Sequence, residues 1–538
     1  MSSKILLALL ALTVALPAFG AETKPERFRQ QKIPMFPEVT VQRAPSLDPK
    51  ITAEIIDRAV NRKPAEDAPP ISSSTAFNTK IRDPLLKATT PDLLDAELVK
   101  WAQMAADASV EPEVRYFAAH LALIRPLRSI VYRLRPLIEK KNKSVQSMAV
   151  TFLKAVATNI RLYTPDEHWK AGFDYITMPS YNQATNKQFN NIWEFQYELQ
   201  KLITPLRAAA NLMQELVWHH HGAIPFVWDK QTAFGHASYM YNAKRQANPG
   251  SKYTASSRYD LDRFVGHYEA EIYAARANFL WASHAIYLFN AYYQEGMMNV
   301  IREQAKLAAV DGVPGGNWFR DDFGVSSANR RRILCGEPTD LECKGGVVPA
   351  YQTRMEDRYA GYLKDAFGDL KESMKALKHS WEALQKGQNR PHAVMNPINF
   401  AGDRREGQAR IDAMMAMVEG PYTVESVPTG ETVTINLPAF YSEQAPKDLK
   451  RLFAIKHEQD DKVDHPELTL YGPDRKPFKG PDGKNIVYRN YYRGRPTGWD
   501  QNYWKPYVGD KDVATALRVL NQSWGGDYVL PFIDSLAW

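Results

Sequence analysis

The chain has little cysteine and no long hydrophobic run beyond its first residues. Only 2 cysteines occur among 538 residues, which excludes a disulfide-rich scaffold. After residue 20 no uncharged apolar stretch reaches the length of about 18 residues that a membrane span needs, so the sequence predicts no integral span. The charge is nearly balanced, with 68 basic and 61 acidic side chains and a net charge of +7. Such a balance does not predict a nucleic-acid partner.

The sequence also lacks the common catalytic motifs. It contains no G-x-S-x-G nucleophile elbow, no S-x-x-K with its partner motifs and no H-E-x-x-H zinc motif. Gly315-Gly316 lacks the lysine and the preceding strand of a phosphate loop. Asp321-Asp322 fit neither a calcium loop nor an acid/base spacing. These absences disfavour the common hydrolases and leave it open whether the protein is an enzyme.

Residues 1–20 are typical of a cleavable signal peptide. Lys4 supplies the positive end, residues 5–16 the apolar core, and Ala18-Phe19-Gly20 a small-x-small cleavage site. We therefore expect cleavage near Gly20 and a mature protein that is periplasmic or secreted. In such an oxidising compartment Cys335 and Cys343, which share one polar loop, are expected to form a disulfide.

A large helical body is predicted between residues 83 and 419. It is organised around residues 259–298, whose second half carries no charge and is apolar on every side. A helix that is apolar all round needs protein on all sides, so we expect a central buried helix surrounded by others. Thr90 before Pro91 predicts the start of a further helix. Amphipathic patterns predict more helices over 110–137, 145–163, 186–218 (with a kink at Pro205), 355–385 and 409–418.

Both ends of the chain differ from this body. Residues 21–82 are rich in proline, which predicts an extended arm. After residue 419 the sequence changes to short strand patterns and turns, which predicts a small aromatic-rich α+β domain over 420–538. Strands are expected at 432–437, 467–471 and 485–492, and a helix at 513–520. The fold class that we predict is mainly α, with this C-terminal domain and the N-terminal arm attached.

The segment 487–507 is the strongest candidate for a functional surface. Aromatic rings beside Arg, Asn and Gln side chains can stack on sugars or anchor a protein interface, and Arg suits an anionic glycan. The alternative is that the rings pack the segment onto the helical body. The candidate binding residues are Tyr488, Arg489, Tyr491, Tyr492, Arg493, Arg495, Trp499, Tyr503, Trp504 and Tyr507.

Histidines suggest a second kind of site. His267 and Glu271 would share one face of a helix, and His219 or His221 could complete an open zinc site. The competing interpretation is a hydrogen bond from His267 to Glu271 within the helix. His284, in the apolar half of the central helix, is predicted to be a core residue with one hydrogen bond.

Three functions follow from these features. The first is a non-catalytic cell-envelope scaffold or binding protein that needs no cofactor and contacts an envelope protein or an anionic glycan through residues 487–507. The second is a periplasmic metal-dependent hydrolase, with zinc held by the histidine/glutamate cluster. The third is a carrier of a small ligand, with a pocket between helices near Trp281 and His284.

Overall fold

The computed structural model describes a mainly helical protein, as the sequence predicts. About 75% of the described residues are helical, and no helix among them is both long and apolar enough to cross a membrane. The predicted signal peptide, most of the arm, the predicted helix 145–163 and both cysteines lie outside the described residues. The described ranges are 75–138, 166–179, 187–219, 226–229, 264–294, 353–354, 360–386, 404–426, 429–447, 449–452, 456–458, 468–469, 487–488, 495–497, 499–521 and 523.

The chain is already helical before residue 82, where the sequence analysis placed an extended arm. Thr75–Phe77, the π-helical turn Asn78–Arg82 and Asp83–Lys87 follow one another. Phe77 and Ile81 are buried, and the Trp101 indole donates a hydrogen bond to the Lys80 carbonyl at 2.9 Å. The prediction was wrong for these residues because burial against Trp101 stabilises a helix that proline content alone does not predict.

The next helices are α1 (Pro91–Ala106), α2 (Pro112–Ala122), α3 (Ile130–Ile138) and α4 (Asp166–Thr177). Thr90 caps α1 by accepting a hydrogen bond from the Leu93 amide, which confirms the predicted start. The single helix predicted over 110–137 is two helices. A 3-10 turn at Arg125–Leu127, which contains Pro126, separates them, and Ser129 has a φ of 55°. Its amide is bonded to the Tyr175 carbonyl at 2.8 Å.

The long helix predicted over 186–218 is also divided. Helix α5 spans Ile192–Gln200, capped by Asn191, and α6 spans Ile203–His219. The break lies at residues 201–202 rather than at Pro205, because Pro205 occupies the first turn of α6, where no intrahelical amide bond is lost.

The central helix α7 spans Glu269–Ala291, and 18 of its 23 residues are buried. This burial confirms the prediction of a central helix with protein on all sides, but its limits were wrong. Phe264–His267 form strand β2, which pairs antiparallel with β1 (Phe226–Asp229), with Phe226 opposite His267. The helix ends where β3 (Tyr292–Tyr293) pairs with β4 (Thr353–Arg354).

Helix α8 (Ala360–Lys386) runs antiparallel to α7 in a fixed register. The Ser380 hydroxyl donates to the Ala270 carbonyl and the Ser373 hydroxyl to the Ala277 carbonyl, each at 2.7 Å. One further heptad along, His284 donates to the Ala366 carbonyl at 3.0 Å. Apart from His284, the residues that make these bonds are Ala and Ser, whose small side chains let the two backbones approach closely. Helix α9 (Arg404–Glu419) packs on α8 where Gly407 meets Trp381.

The C-terminal elements share one core with this helical body. Val433, Leu437 and Trp504 belong to the same cluster of buried side chains as Phe279 and Leu370. The boundary of a separate domain at residue 420 is not shown by this packing and stays a prediction. The elements are β5 (Tyr422–Glu425) paired with β6 (Thr432–Ile435), 3-10 turns Leu437–Tyr441 and Leu449–Leu452, β7 (Lys456–Glu458) paired with β10 (Arg495–Thr497), β8 (Leu468–Thr469) paired with β9 (Val487–Tyr488), α10 (Gln501–Val508) and α11 (Val513–Asn521).

Candidate functional site

Two of the candidate aromatic residues lie in the core. Trp504 and Tyr507 are 1% and 2% exposed. The Trp504 indole donates to the Leu452 carbonyl at 3.1 Å, and the Tyr507 hydroxyl donates to the Gln444 carbonyl at 2.7 Å. The Tyr507 ring also stacks on Phe440 with centroids 4.0 Å apart. These two side chains anchor α10 to the body, so their ring faces are not offered to a partner.

Trp499 and Tyr503 lie beside these anchors and are only partly buried. The Trp499 ring meets the Trp504 ring edge-on at 6.0 Å. Gln501 fixes the turn that follows, donating to the Lys511 carbonyl at 2.6 Å and accepting from the Val513 amide at 3.2 Å. We call Trp499 and Tyr503 the aromatic edge. The side chains of the remaining candidates lie outside the description: Tyr488, Arg489, Tyr491, Tyr492, Arg493 and Arg495.

The predicted His267–Glu271 pair does not form on a helix face. His267 is in strand β2, and the Glu271 carboxylate accepts a hydrogen bond from the Tyr268 amide at 2.9 Å, which caps the start of α7. The expectation of an i,i+4 pair was wrong because the helix starts after His267. His219 is the last residue of α6, its side chain and His221 lie outside the description, and in the described chain no three metal-ligating side chains cluster.

His267 instead joins an aromatic cluster with α2. Its Nδ1 lies 3.2 Å from the Tyr116 hydroxyl, and Phe117 meets its ring edge-on at 5.8 Å. His120 donates from Nδ1 to the Tyr116 carbonyl at 2.8 Å and packs against Phe279. Burial lowers the pKa of His267 to about 3 and that of His120 to about 4. Both imidazoles are therefore neutral at neutral pH, as hydrophobic packing requires.

A third set of polar residues lies along α7, which carries Trp281 and His284, near which the sequence analysis expected the pocket of a small-ligand carrier. His284 is 1% exposed, and its only hydrogen bond within the described structure is the one to Ala366, which confirms the predicted role as a core residue. Since a carbonyl oxygen only accepts, Nδ1 carries the proton and Nε2 has a free lone pair. Burial lowers the pKa of His284 to about 4.

An ion pair between α6 and α8 borders these residues. The Arg207 guanidinium donates three hydrogen bonds of 2.8–3.1 Å to Asp369, and the Ser283 hydroxyl donates to Asp369 at 2.6 Å. Burial alone would lower the pKa of Arg207. The hydrogen bonds and the charge of Asp369 have a larger, opposite effect, so the pKa of Arg207 is raised. Burial raises the pKa of Asp369 against the opposite effect of Arg207. We describe the pair as ionised because all four hydrogen bonds, from three donor atoms, favour the charged carboxylate.

Several buried polar atoms near His284 have no hydrogen-bond partner in the described structure. They are the Nε2 atom of His284, the hydroxyls of Tyr287 and Tyr441, both amide atoms of Asn290 and the Oε1 atom of Gln196. Buried polar groups are nearly always hydrogen-bonded, so each exception requires an explanation. We call His284, Tyr287 and Asn290 the polar stripe. Their three-residue spacing inside the uncharged second half of α7 is the sequence signal that could have identified it.

Comparisons of the chain with protein-family models, with curated proteins and with solved structures find no match.

Proposed function

We propose that this chain is an exported binding protein of the cell envelope, which contacts a protein or glycan partner through the aromatic edge. The observation that carries the proposal is that Trp499 and Tyr503 are partly exposed while the neighbouring Trp504 and Tyr507 are buried. Aromatic side chains in this arrangement are frequent anchors of protein interfaces and suit stacking on sugar rings.

The packing beneath the aromatic edge supports this role. Trp499 is held by Trp504, whose indole is itself bonded to the backbone at Leu452. A ring that is already fixed loses little conformational entropy on binding, so more of the contact energy contributes to affinity.

The described charges near the aromatic edge are paired with one another. Lys505 contacts Asp510 at 2.7 Å, Lys511 contacts Glu431 at 3.4 Å, and Arg518 also binds Glu431. Exposed pairs of this kind contribute little to stability. Because Lys511 and Arg518 share Glu431, the three cations face two carboxylates, which leaves an excess of one positive charge in this group. With so small an excess the rings would provide most of the affinity, and binding through them should depend weakly on salt.

The proposal is tested with Trp499→Ala/Tyr503→Ala in the mature protein. We expect its affinity for isolated envelope to fall by about tenfold or more, the usual effect of removing anchor residues. Co-sedimentation with envelope before and after protease treatment measures the affinity and separates a glycan from a protein partner. The matched control is Leu93→Ala/Met178→Ala, which removes the large apolar side chains that are 51% and 53% exposed on another part of the surface. Equal binding by both variants and the unaltered chain would exclude the aromatic edge as the contact.

A further inference from the structure

We propose that the core between α7, α8 and the 437–441 turn binds a small neutral ligand that carries hydroxyl groups. This proposal concerns a different part of the molecule from the aromatic edge and does not depend on it. It starts from the polar stripe and from Tyr441, which faces His284 from the 437–441 turn.

His284 and Tyr441 offer complementary hydrogen-bonding atoms. Their ring centroids are 5.6 Å apart, and Tyr441 is held in place by stacking on Phe367 at 4.9 Å. The His284 Nε2 atom can only accept a hydrogen bond, because Nδ1 carries the proton. The Tyr441 hydroxyl can donate, yet neither atom has a partner in the described structure. A ligand hydroxyl that reached both atoms would donate to His284 and accept from Tyr441.

The next two turns of α7 extend this set of atoms. Tyr287 and Asn290 are 1% and 2% exposed, and their side chains add a hydroxyl, an amide donor and an amide acceptor without partners. Gln196, on α5, donates to the Phe289 carbonyl at 3.1 Å, while its own Oε1 atom has no partner in this part of the chain. The set thus offers both donors and acceptors, which suits a ligand with several hydroxyl groups.

The charges nearby indicate that the ligand is neutral. Arg207 and Asp369 satisfy each other, and Ser283 adds a further donor to the carboxylate. The Asp365 carboxylate, which interacts electrostatically with Tyr287, is partly exposed rather than buried. The buried atoms of this set that have no partner in the described structure are all uncharged, and an unpaired charge in a buried site is strongly disfavoured. Tyr362 and Asp365 on α8 are partly exposed, so the region lies within about one helical turn of solvent.

Ordered water could satisfy the same atoms, and the experiment separates the two explanations. Binding of glucose, myo-inositol and glycerol to the full mature protein is measured by calorimetry and by the shift in Tm. Gluconate and glucosamine serve as charged probes of similar size. We expect saturable binding of at least one neutral probe and none of the charged ones.

The variant Tyr441→Phe tests the location of the site. It removes a hydroxyl that has no partner in the described structure, so the free protein should fold as stably as the unaltered chain. We expect its affinity for the neutral probe to fall about tenfold, the loss of one buried hydrogen bond. The matched control Tyr507→Phe removes a hydroxyl that is bonded to Gln444; it should lower Tm and leave the affinity unchanged.

Three results would overturn the proposal. The first is no binding of any neutral probe, which means that water fills the site. The second is equal affinity in Tyr441→Phe and in the unaltered protein. The third is a preference for gluconate or glucosamine.

Discussion

Replacing Gly407 and Gly368 by alanine should change stability in opposite directions. Both glycines lie inside helices, on α9 and α8 respectively. A Cβ atom on Gly407 would lie 2.2, 2.5 and 2.7 Å from three carbon atoms of the Trp381 ring, whereas a Cβ atom on Gly368 meets nothing within 4 Å. The same chemical change therefore tests close packing at one site and helix propensity alone at the other.

The expected change in the free energy of unfolding for Gly407→Ala follows from the packing around Trp381. Its side chain is 0% exposed, and its indole donates to the Gln408 side chain at 3.0 Å. Since the ring has no free space into which it can move, α9 must shift away from α8, and overpacking of this kind costs about 1–3 kcal/mol. Alanine recovers about 1 kcal/mol of helix propensity. With a clash this severe, we expect a net loss of about 2 kcal/mol for Gly407→Ala. For Gly368→Ala we expect a gain of about 0.5–1 kcal/mol.

Urea unfolding of the mature variants, followed by tryptophan fluorescence and by far-UV circular dichroism, measures both changes. The midpoint should fall for Gly407→Ala and rise for Gly368→Ala, with the dependence of the unfolding free energy on urea unchanged in both. If Gly407→Ala is as stable as the unaltered protein, the close contact between α9 and Trp381 is wrong.

Two further predictions concern the buried polar groups. The pKa of His284 is lowered from 6.5 to about 4, so its contribution to stability is complete above pH 6.5 and is lost as the pH falls towards 4. At pH 5 the share of His284 in this loss is about 2 kcal/mol. His120 and His267, whose pKa values burial also lowers, add losses of their own. The loss of unfolding free energy measured by urea unfolding between pH 7 and pH 5 should therefore be smaller by about 2 kcal/mol in His284→Asn than in the unaltered protein, and equal losses in the two proteins would contradict the burial of His284. Replacing Arg207 by Met leaves Asp369 unpaired and should cost about 3–5 kcal/mol, most of which the double variant Arg207→Met/Asp369→Leu recovers. No recovery in the double variant would mean that the two side chains do not interact.

The sequence predicted the existence of the helices better than their limits. The apolar pattern of α7 is local, and the prediction of its burial was confirmed. Its start was missed because residues 264–267 pair with residues 226–229, a contact between segments far apart in the chain. Amphipathic periodicity extends through such a strand without a visible change. The local signals against a helix here are the low helix propensities of Gly266 and the β-branched Val265.

The candidate surface shows the same limit. Trp499, Tyr503, Trp504 and Tyr507 all have large aromatic side chains, and the sequence alone gave no reason to separate them. Trp504 and Tyr507 are buried because Leu452 and Phe440, from another part of the chain, contact them. The polar stripe was predicted only in part. A ligand pocket was expected near Trp281 and His284, but Tyr287 and Asn290 were not singled out. The uncharged half of the helix was treated as apolar on every side, although such side chains need hydrogen-bond partners when buried.

The register of α7 against α8 determines where the polar stripe lies. Three hydrogen bonds at seven-residue spacing join the helices, through Ser380, Ser373 and His284. Sliding one helix by a residue would break all three at once, so the stripe cannot reach other partners without separating the pair. The atoms of the stripe that have no partner in the described structure are therefore held in place by this register. If the proposed ligand binds to them, it loses little ordering entropy, and replacing Ser373 should weaken the helix pair and ligand binding together.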